Sequence, residues 1–343
     1  MRAANKRTDD SDDREVDERA KAAKKARRLV RKNADAMPVV EAVGGPQAER
    51  IVNAELVEPA PRGGIVEALS QRYVLHLIAR RMLAQMYANS VLGLLWSYVQ
   101  PAMRFAVYYL VFGFVFHTHL GTPYFALHLF TGIVFVHLFT EAWSQGTRSI
   151  WTNRSLVQKL RIPREVFPIA AIEVAALHTL PQAVLLTLFC IIAGWHLTVS
   201  AVLAGLLGFL IIAVFATAMG VLFSALNVYY RDFQNIVGTL LQFMHFLVPM
   251  MYPFGRIWRI GLLHPLFYQL YMANPVANGV VLLQQLFWYS LVEHKHRLHV
   301  LAGRTAPPDM WMRGIIVLIA CVIFLVFAQR VFRRLESKFP ERL

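Results

Sequence analysis

Residues 198–226 read TVSAVLAGLLGFLIIAVFATAMGVLFSAL, with no Asp, Glu, Lys or Arg anywhere in the run. A bilayer core is crossed by about 20 apolar residues wound as a helix. This stretch is longer than one crossing needs. Five further runs of the same kind lie around it, at about 101–119, 124–143, 167–193, 237–253 and 311–329. A mean hydropathy of +0.45 and 57% apolar residues put the chain in the membrane class. Only eight of the 21 acidic residues follow residue 100, and only Glu141 and Glu173 fall inside the runs. The expectation is an all-α polytopic membrane protein with six transmembrane helices.

The net charge of +14 is unevenly placed. Seventeen of the 35 Lys and Arg residues precede residue 100, five lie in 144–166, and five follow residue 329. Translocating Lys and Arg is disfavoured, so basic clusters beside spans mark the cytoplasmic face. That rule puts 144–166, 227–236 and both termini inside, and the uncharged turns 117–123 and 194–199 outside. The protein is therefore expected as a multi-pass protein of the cytoplasmic membrane. Residues 254–310 should be external yet hold Arg256, Arg259, Lys295, Arg297 and Arg304; the rule weakens in loops of such length. Within them, the apolar stretch 275–292 is broken by Asn278, Gln284 and Gln285, and reads as interfacial or re-entrant helices rather than a seventh span. The cations suit membrane lipids, not nucleic acid, since no recognition module accompanies them.

Residues 1–66 read as a disordered, charged cytoplasmic extension and linker, and 67–343 as the transmembrane domain. No apolar signal-peptide core occurs in the first 60 residues. Between residues 70 and 97, Leu75, Ile78, Ala79, Met82 and Met86 share one helical face, opposite Arg72, Arg80, Arg81 and Gln85. Such a helix should lie in the cytoplasmic interface, apolar face down. Cys190 and Cys321 fall in separate spans and suit packing better than a disulfide or metal site. There is no GxxxxGK[ST] loop to cradle phosphates, so a transporter built on this chain must borrow its energy.

Four motifs carry a resemblance. They are Tyr87-Ala-Asn-Ser90-Val-Leu92-Gly93-Leu-Leu-Trp96 followed by Pro101, the loop Asn153 to Glu165, Asn227-Val-Tyr-Tyr230-Arg231-Asp232, and the pair Met251-Tyr252-Pro253 with Asn274-Pro275. In this order, over residues 70–335, they resemble the ABC-2-type polysaccharide export permeases, which include O-antigen, teichoic-acid and capsule exporters. The resemblance implies a homodimer with two separate ATP-binding subunits, which hold ATP and magnesium while this chain binds no cofactor and is not an enzyme. It implies a polyprenyl-diphosphate-linked cell-envelope polysaccharide as cargo. Within that class the Arg- and Ala-rich composition fits an actinobacterial galactan.

The resemblance also implies site residues. Asn153, Leu156, Lys159, Arg161, Pro163, Arg164 and Glu165 match the family's ATPase-coupling loop, with Tyr230, Arg231 and Asp232 as a second contact. A solvated topogenic loop would explain the cations but not the Pro163 break; at Tyr230–Asp232, a helix-end turn with a local Arg–Asp pair is a comparable account. Met251, Tyr252, Pro253, Asn274 and Pro275 fall around the family's external gate. For the pathway, Tyr108, Tyr109, Phe112, Phe116, Phe243 and Phe246 offer aromatic faces on which sugar rings can slide, or else pack against lipid. Arg104 is a candidate diphosphate contact, or a snorkelling cation. Glu141 has Arg148 as its expected partner, and His137 and His178 read as structural. His294, His296 and His299 lack further ligands for a metal site.

Three other functions compete, one of them a stand-alone channel, which would not need the coupling loop. A polyprenyl-phosphate glycosyltransferase needs a carboxylate at the membrane surface, and the turn between the first two spans has none. An ABC-2 permease for small molecules or lipids remains open on the residues alone.

Overall fold

The apolar runs form helices whose ends are set by Pro, Gly and Asn more than by the edges of hydropathy. A computed structural model describes residues 64–88, 90–159, 162–295, 307 and 309–342, all within the unit Ala60–Leu343. The N-terminal extension, Arg161, His296 and His299 lie outside the described residues. Among those described, every regular element is helical.

Helices α1 (Gly64–Ser70) and α2 (Arg72–Tyr87) precede α3 (Trp96–Tyr108), which continues into a π-helical turn, Tyr109–Val115. The first predicted span therefore begins five residues earlier than hydropathy suggests and ends where His117 takes a left-handed φ of 53°. The short α4 (Thr118–Gly121) leads to α5 (Phe125–Thr152). Asn153 ends α5, its Nδ2 donating to the Ser149 carbonyl at 2.8 Å. Beyond it come α6 (Arg154–Lys159), α7 (Val166–Ile192) and α8 (Val199–Tyr229), the last capped by Thr198, whose hydroxyl accepts from the Ala201 amide.

Helix α9 (Asp232–Met244) is shorter than the predicted fifth span. The chain leaves it before Pro249 and Pro253, which cannot donate to a helical ladder. Then α10 (Phe254–Leu263) and α11 (Pro265–Met272) form a helical hairpin, followed by α12 (Pro275–Gln284), a π turn at Gln285–Tyr289, and α13 (Ser290–Lys295). Asn274 caps α12 and Pro275 opens it. The chain closes with α14 (Met310–Glu336) and α15 (Phe339–Arg342). Among the described residues, α5, α7, α8 and α14 are long and apolar enough to cross a membrane.

The α12–α13 stretch pairs with only one half of α8. Gly279 meets Ile212 and Gly208, and Leu286 meets Gly205. Trp195 Nε1 donates to the Leu286 carbonyl and Trp288 Nε1 to that of Pro123, both at 2.8 Å. Helix α5 is the hub: it buries residues on nearly every side against α7, α8, α9 and α12. Helix α14 is the opposite case, burying only Gly314, Cys321, Ala328 and Phe332.

The basic end of the bundle has its own apolar cluster. Ile78 and Ala79 of α2 pack there with Ile150, Val157, Phe167, Phe332 and Phe339. The apolar stripe of α2 is thus spent on this chain's own helices, in addition to any lipid contact. His76 Nδ1 lies 2.7 Å from Glu173 Oε1 and ties α2 to α7. Phe339 is 0% exposed, so Phe339→Ala is expected to destabilise this end by about 3 kcal/mol, within the usual cost of emptying a buried Phe site. A thermal-unfolding midpoint equal to the wild type would show that the tail is not clamped there.

Candidate functional site

A cavity of about 520 Å³ opens between α3, α5 and α9. Helix α3 contributes Arg104 and Tyr108, and α9 with its following turn contributes Gly238, Leu241, Gln242, His245 and Phe246. Helix α5 contributes His137, Thr140, Glu141, Ser144, Gln145 and Arg148, a polar stripe at helical spacing. Eleven residues separate His137 from Arg148, so the cavity runs about 16 Å along α5.

Its electrostatics differ from the sequence expectation. Glu141 does not pair with Arg148. His178 Nδ1 bonds Glu141 Oε1, and His137 Nε2 lies 3.2 Å from Oε2, off the axis of a good hydrogen bond. The Tyr87 hydroxyl sits 2.9 Å from His178 Nε2. With the proton on His178 Nδ1, Tyr87 donates to the ring and the ring donates to Glu141. This chain joins the end of α2 to α7 and α5. Since α5 extends to Thr152, Glu141 lies near mid-helix, about 16 Å from the basic end, and a charge at that depth needs such partners.

The cavity's cations are less constrained. Arg104 Nη1 donates to His245 Nε2 at 3.2 Å, and His245 Nδ1 faces the Leu241 carbonyl at 3.2 Å. Arg148 Nη2 donates to Ser144 Oγ at 3.1 Å. Neither arginine forms an ion pair among the described residues, so the walls carry two cations against one carboxylate. That surplus suits an anion.

The predicted pathway residues separate. Arg104, Tyr108 and Phe246 line the cavity. Tyr109 stacks between Phe105 and Phe125 at the core, and Phe112 stacks on Phe116, which is exposed. Phe243 is exposed on α9 and does not line the cavity. The residues expected around an external gate do come together. The Tyr252 hydroxyl donates to the Phe246 carbonyl at 2.8 Å and lies 3.1 Å from the Tyr271 hydroxyl. Asn274 Nδ2 reaches the Leu247 carbonyl at 3.4 Å, Met251 is buried, and Pro253 precedes α10.

At the basic end, α6 turns Val157 inward and leaves Arg154, Ser155, Gln158 and Lys159 exposed, with Leu156 half-buried. Tyr230 and Asp232 are also exposed. Arg231 does not form a salt bridge with Asp232; its guanidinium stacks 3.8 Å from the Trp151 ring, which Arg154 approaches at 5.0 Å. Trp151 thereby couples the two loops. Asn153, Pro163 and Glu165 are buried and shape the loop from within instead of forming its surface. Arg164 bonds the Glu336 carbonyl and lies 5.6 Å from the Phe339 ring, committed to the chain's own tail. Arg161 lies outside the described residues. His294 falls in α13, while His296 and His299 are not described.

Glu165 just precedes α7. Burial pushes its carboxyl above the ordinary carboxylate value, while its own backbone amide, Arg333 and Arg164 pull it down. A raised folded-state value contributes stability that is complete below the unfolded-state pKa and lost as pH climbs through the folded one. From about pH 5 to about pH 8, the wild type should therefore lose more thermal stability than Glu165→Gln. Parallel melting curves for the two proteins would refute this.

The α5 stripe has a sequence signal: counted from His137, polar residues at positions i, i+4, i+7, i+8 and i+11 mark one lined face of a helix. The ABC-2 type transporter family model matches residues 73–288. An O-antigen export system permease protein from Myxococcus xanthus is 28% identical over 195 residues, covering 56% of this chain and 72% of the relative. One from Klebsiella pneumoniae is 25% identical over 227 residues, 65% of this chain and 83% of its own length. A capsule polysaccharide export inner-membrane protein from Neisseria meningitidis is 24% identical over 174 residues, covering 50% and 65%.

Proposed function

The chain belongs to the ABC-2 type transporter family, and from that premise we propose that it is the membrane-spanning permease of an ATP-driven exporter of a lipid-linked cell-envelope polysaccharide. Two copies form the pathway, and two separate ATP-binding subunits hold ATP and magnesium. The relatives named for O-antigen and capsule export support the polysaccharide class. The observation that carries the reading is the cavity with its surplus cations: a neutral solute would not need Arg104 and Arg148 kept inside a helix bundle.

The lipid-borne diphosphate enters as the anion, drawn in by Arg104 and Arg148 on the cavity walls. Tyr108 and Phe246 give the following sugars flat faces to slide over. The basic end faces the cytoplasm, with both termini there, and the exposed side of α6 receives the ATPase. The α10–α13 stretch enters and leaves from the outer side, and the Tyr252–Tyr271 contact closes the pathway externally. An actinobacterial galactan is the cargo to assay first.

Depletion of the protein tests the reading. The expected result is lipid-linked glycan accumulating in the inner leaflet with surface glycan lost. Unchanged surface glycan would remove the exporter assignment.

A further inference from the structure

A second cavity, of about 380 Å³, lies between α2, α5 and α7. Its volume falls in the range of ligand clefts. Met82 and Met86 of α2 and Ala171 and Val174 of α7 make its apolar walls. Gln145 and Arg148 line it as well, and these two also line the first cavity. The two spaces therefore meet at Arg148, about 6 Å from the basic end of α5.

Arg148 is under-used there. Its Nη2 donates to Ser144, but its buried Nε has no partner among the described residues. The nearest carboxylate on its own helix, Glu141, is held by two histidines. A guanidinium beside a cleft with no carboxylate partner favours an anion there, and its fork matches phosphate oxygens. A flexible methionine wall beside it accepts alkyl or isoprenoid chains of varied shape.

We propose that this cleft is the loading site for an amphiphile with a diphosphate head, with Arg148 holding the head and Met82 and Met86 holding the first part of the tail. This rests on the exporter reading and adds the place where cargo is taken up. Loading under α2 explains why that helix is tied to α7 by His76–Glu173 and by Tyr87–His178 while leaving a space beneath its C-terminal half, between those two ties.

The probe is farnesyl diphosphate, titrated into the purified full-length protein in neutral detergent. Saturable binding is expected, with farnesol and inorganic pyrophosphate each far weaker, because head and tail are both read. Arg148→Gln should weaken binding about tenfold to hundredfold, the worth of charged hydrogen bonds, and Arg148→Lys should fall between. Met86→Trp, which fills the tail half without touching the charge, should weaken it too and guards against a folding artefact in the Arg148 variants. Wild-type affinity in both Arg148→Gln and Met86→Trp would overturn the site. Equal binding of dioleoylphosphatidylglycerol would overturn it in favour of a structural lipid. Either result, with glycan export intact in cells, removes this site and leaves the exporter reading standing.

Discussion

Changing Arg154 and Lys159 together to glutamate is expected to abolish partner-dependent export while leaving the bundle folded. Both side chains are exposed on α6, and the helix is anchored from beneath by Val157 and by the Asn153 carbonyl, which accepts from the Leu156 and Val157 amides. The substitutions leave the Val157 anchor and the Asn153 bonds in place and give up only the 5.0 Å approach of Arg154 to the Trp151 ring, so Lys159→Glu alone is the control for that contact. Losing one desolvated charge pair at an interface costs about 2 to 5 kcal/mol, or roughly 30-fold or more in affinity. Two reversals that also introduce repulsion should remove the ATPase from a pull-down altogether. Retained co-purification and retained export would remove α6 as the docking element. Arg164→Glu is a poorer test: it would break the bond to the Glu336 carbonyl and the packing on Phe339, so a loss of activity could come from the tail.

The largest structural effect should come from Gly208→Val. A Cβ at Gly208 would sit 2.5 Å from the Gly279 carbonyl oxygen and 2.9 Å from Leu282 Cβ. A backbone carbonyl cannot swing aside as a side chain can, so α12 must move away from α8. Overpacking of this kind costs about 1 to 3 kcal/mol and more when backbone shifts. Because Gln284 Nε2 donates to the Pro249 carbonyl at 2.9 Å, displacement of α12 also pulls on the turn that carries Phe246. Export should fall together with thermal stability. By contrast, a Cβ at Gly238 meets nothing within 4 Å. Gly238→Ala should stabilise α9 by up to about 1 kcal/mol through helix propensity. Equal melting temperatures for Gly208→Val and wild type would mean the α8–α12 contact is looser than described.

Hydropathy located α5, α7, α8 and α14 because each is apolar over more than a bilayer's thickness. It misplaces the basic end of α5 by nine residues, since Ser144, Gln145, Arg148 and Thr152 are polar yet lie on one face of a continuing helix. The fifth span was overlong for the opposite reason: Phe246–Pro253 is apolar but turned by its prolines. Apolarity reports the solvent, not the conformation.

The site divides in the same way. Pro163, Asn274 and Pro275 could be read locally, because their effects on the backbone act within a turn. The Glu141–His178–Tyr87 chain could not: its members lie on three helices, and sequence spacing says nothing about which faces meet. Arg148 beside Glu141 is a natural guess from a one-dimensional pattern, and seven residues do bring two positions to the same side. A histidine from α7 nevertheless lies nearer than the arginine two turns away.

The last helix, α14, has a consequence of its own. Its buried positions Gly314, Cys321 and Ala328 recur every seven residues and are small, so it touches α8 along a single narrow seam. A cylinder held along one line resists sliding and separation but offers little resistance to rolling about that line. At one end Phe332 and Phe339 fix its angle; at the other, Arg313 Nη1 donates to Gln269 Oε1 at 3.0 Å and its guanidinium lies 5.4 Å from the Tyr268 ring, both on α11. Between those two anchors the rod is held by its seam, so torque applied at the tail would be delivered through Arg313 to α11, making α14 a driveshaft between the two ends of the bundle.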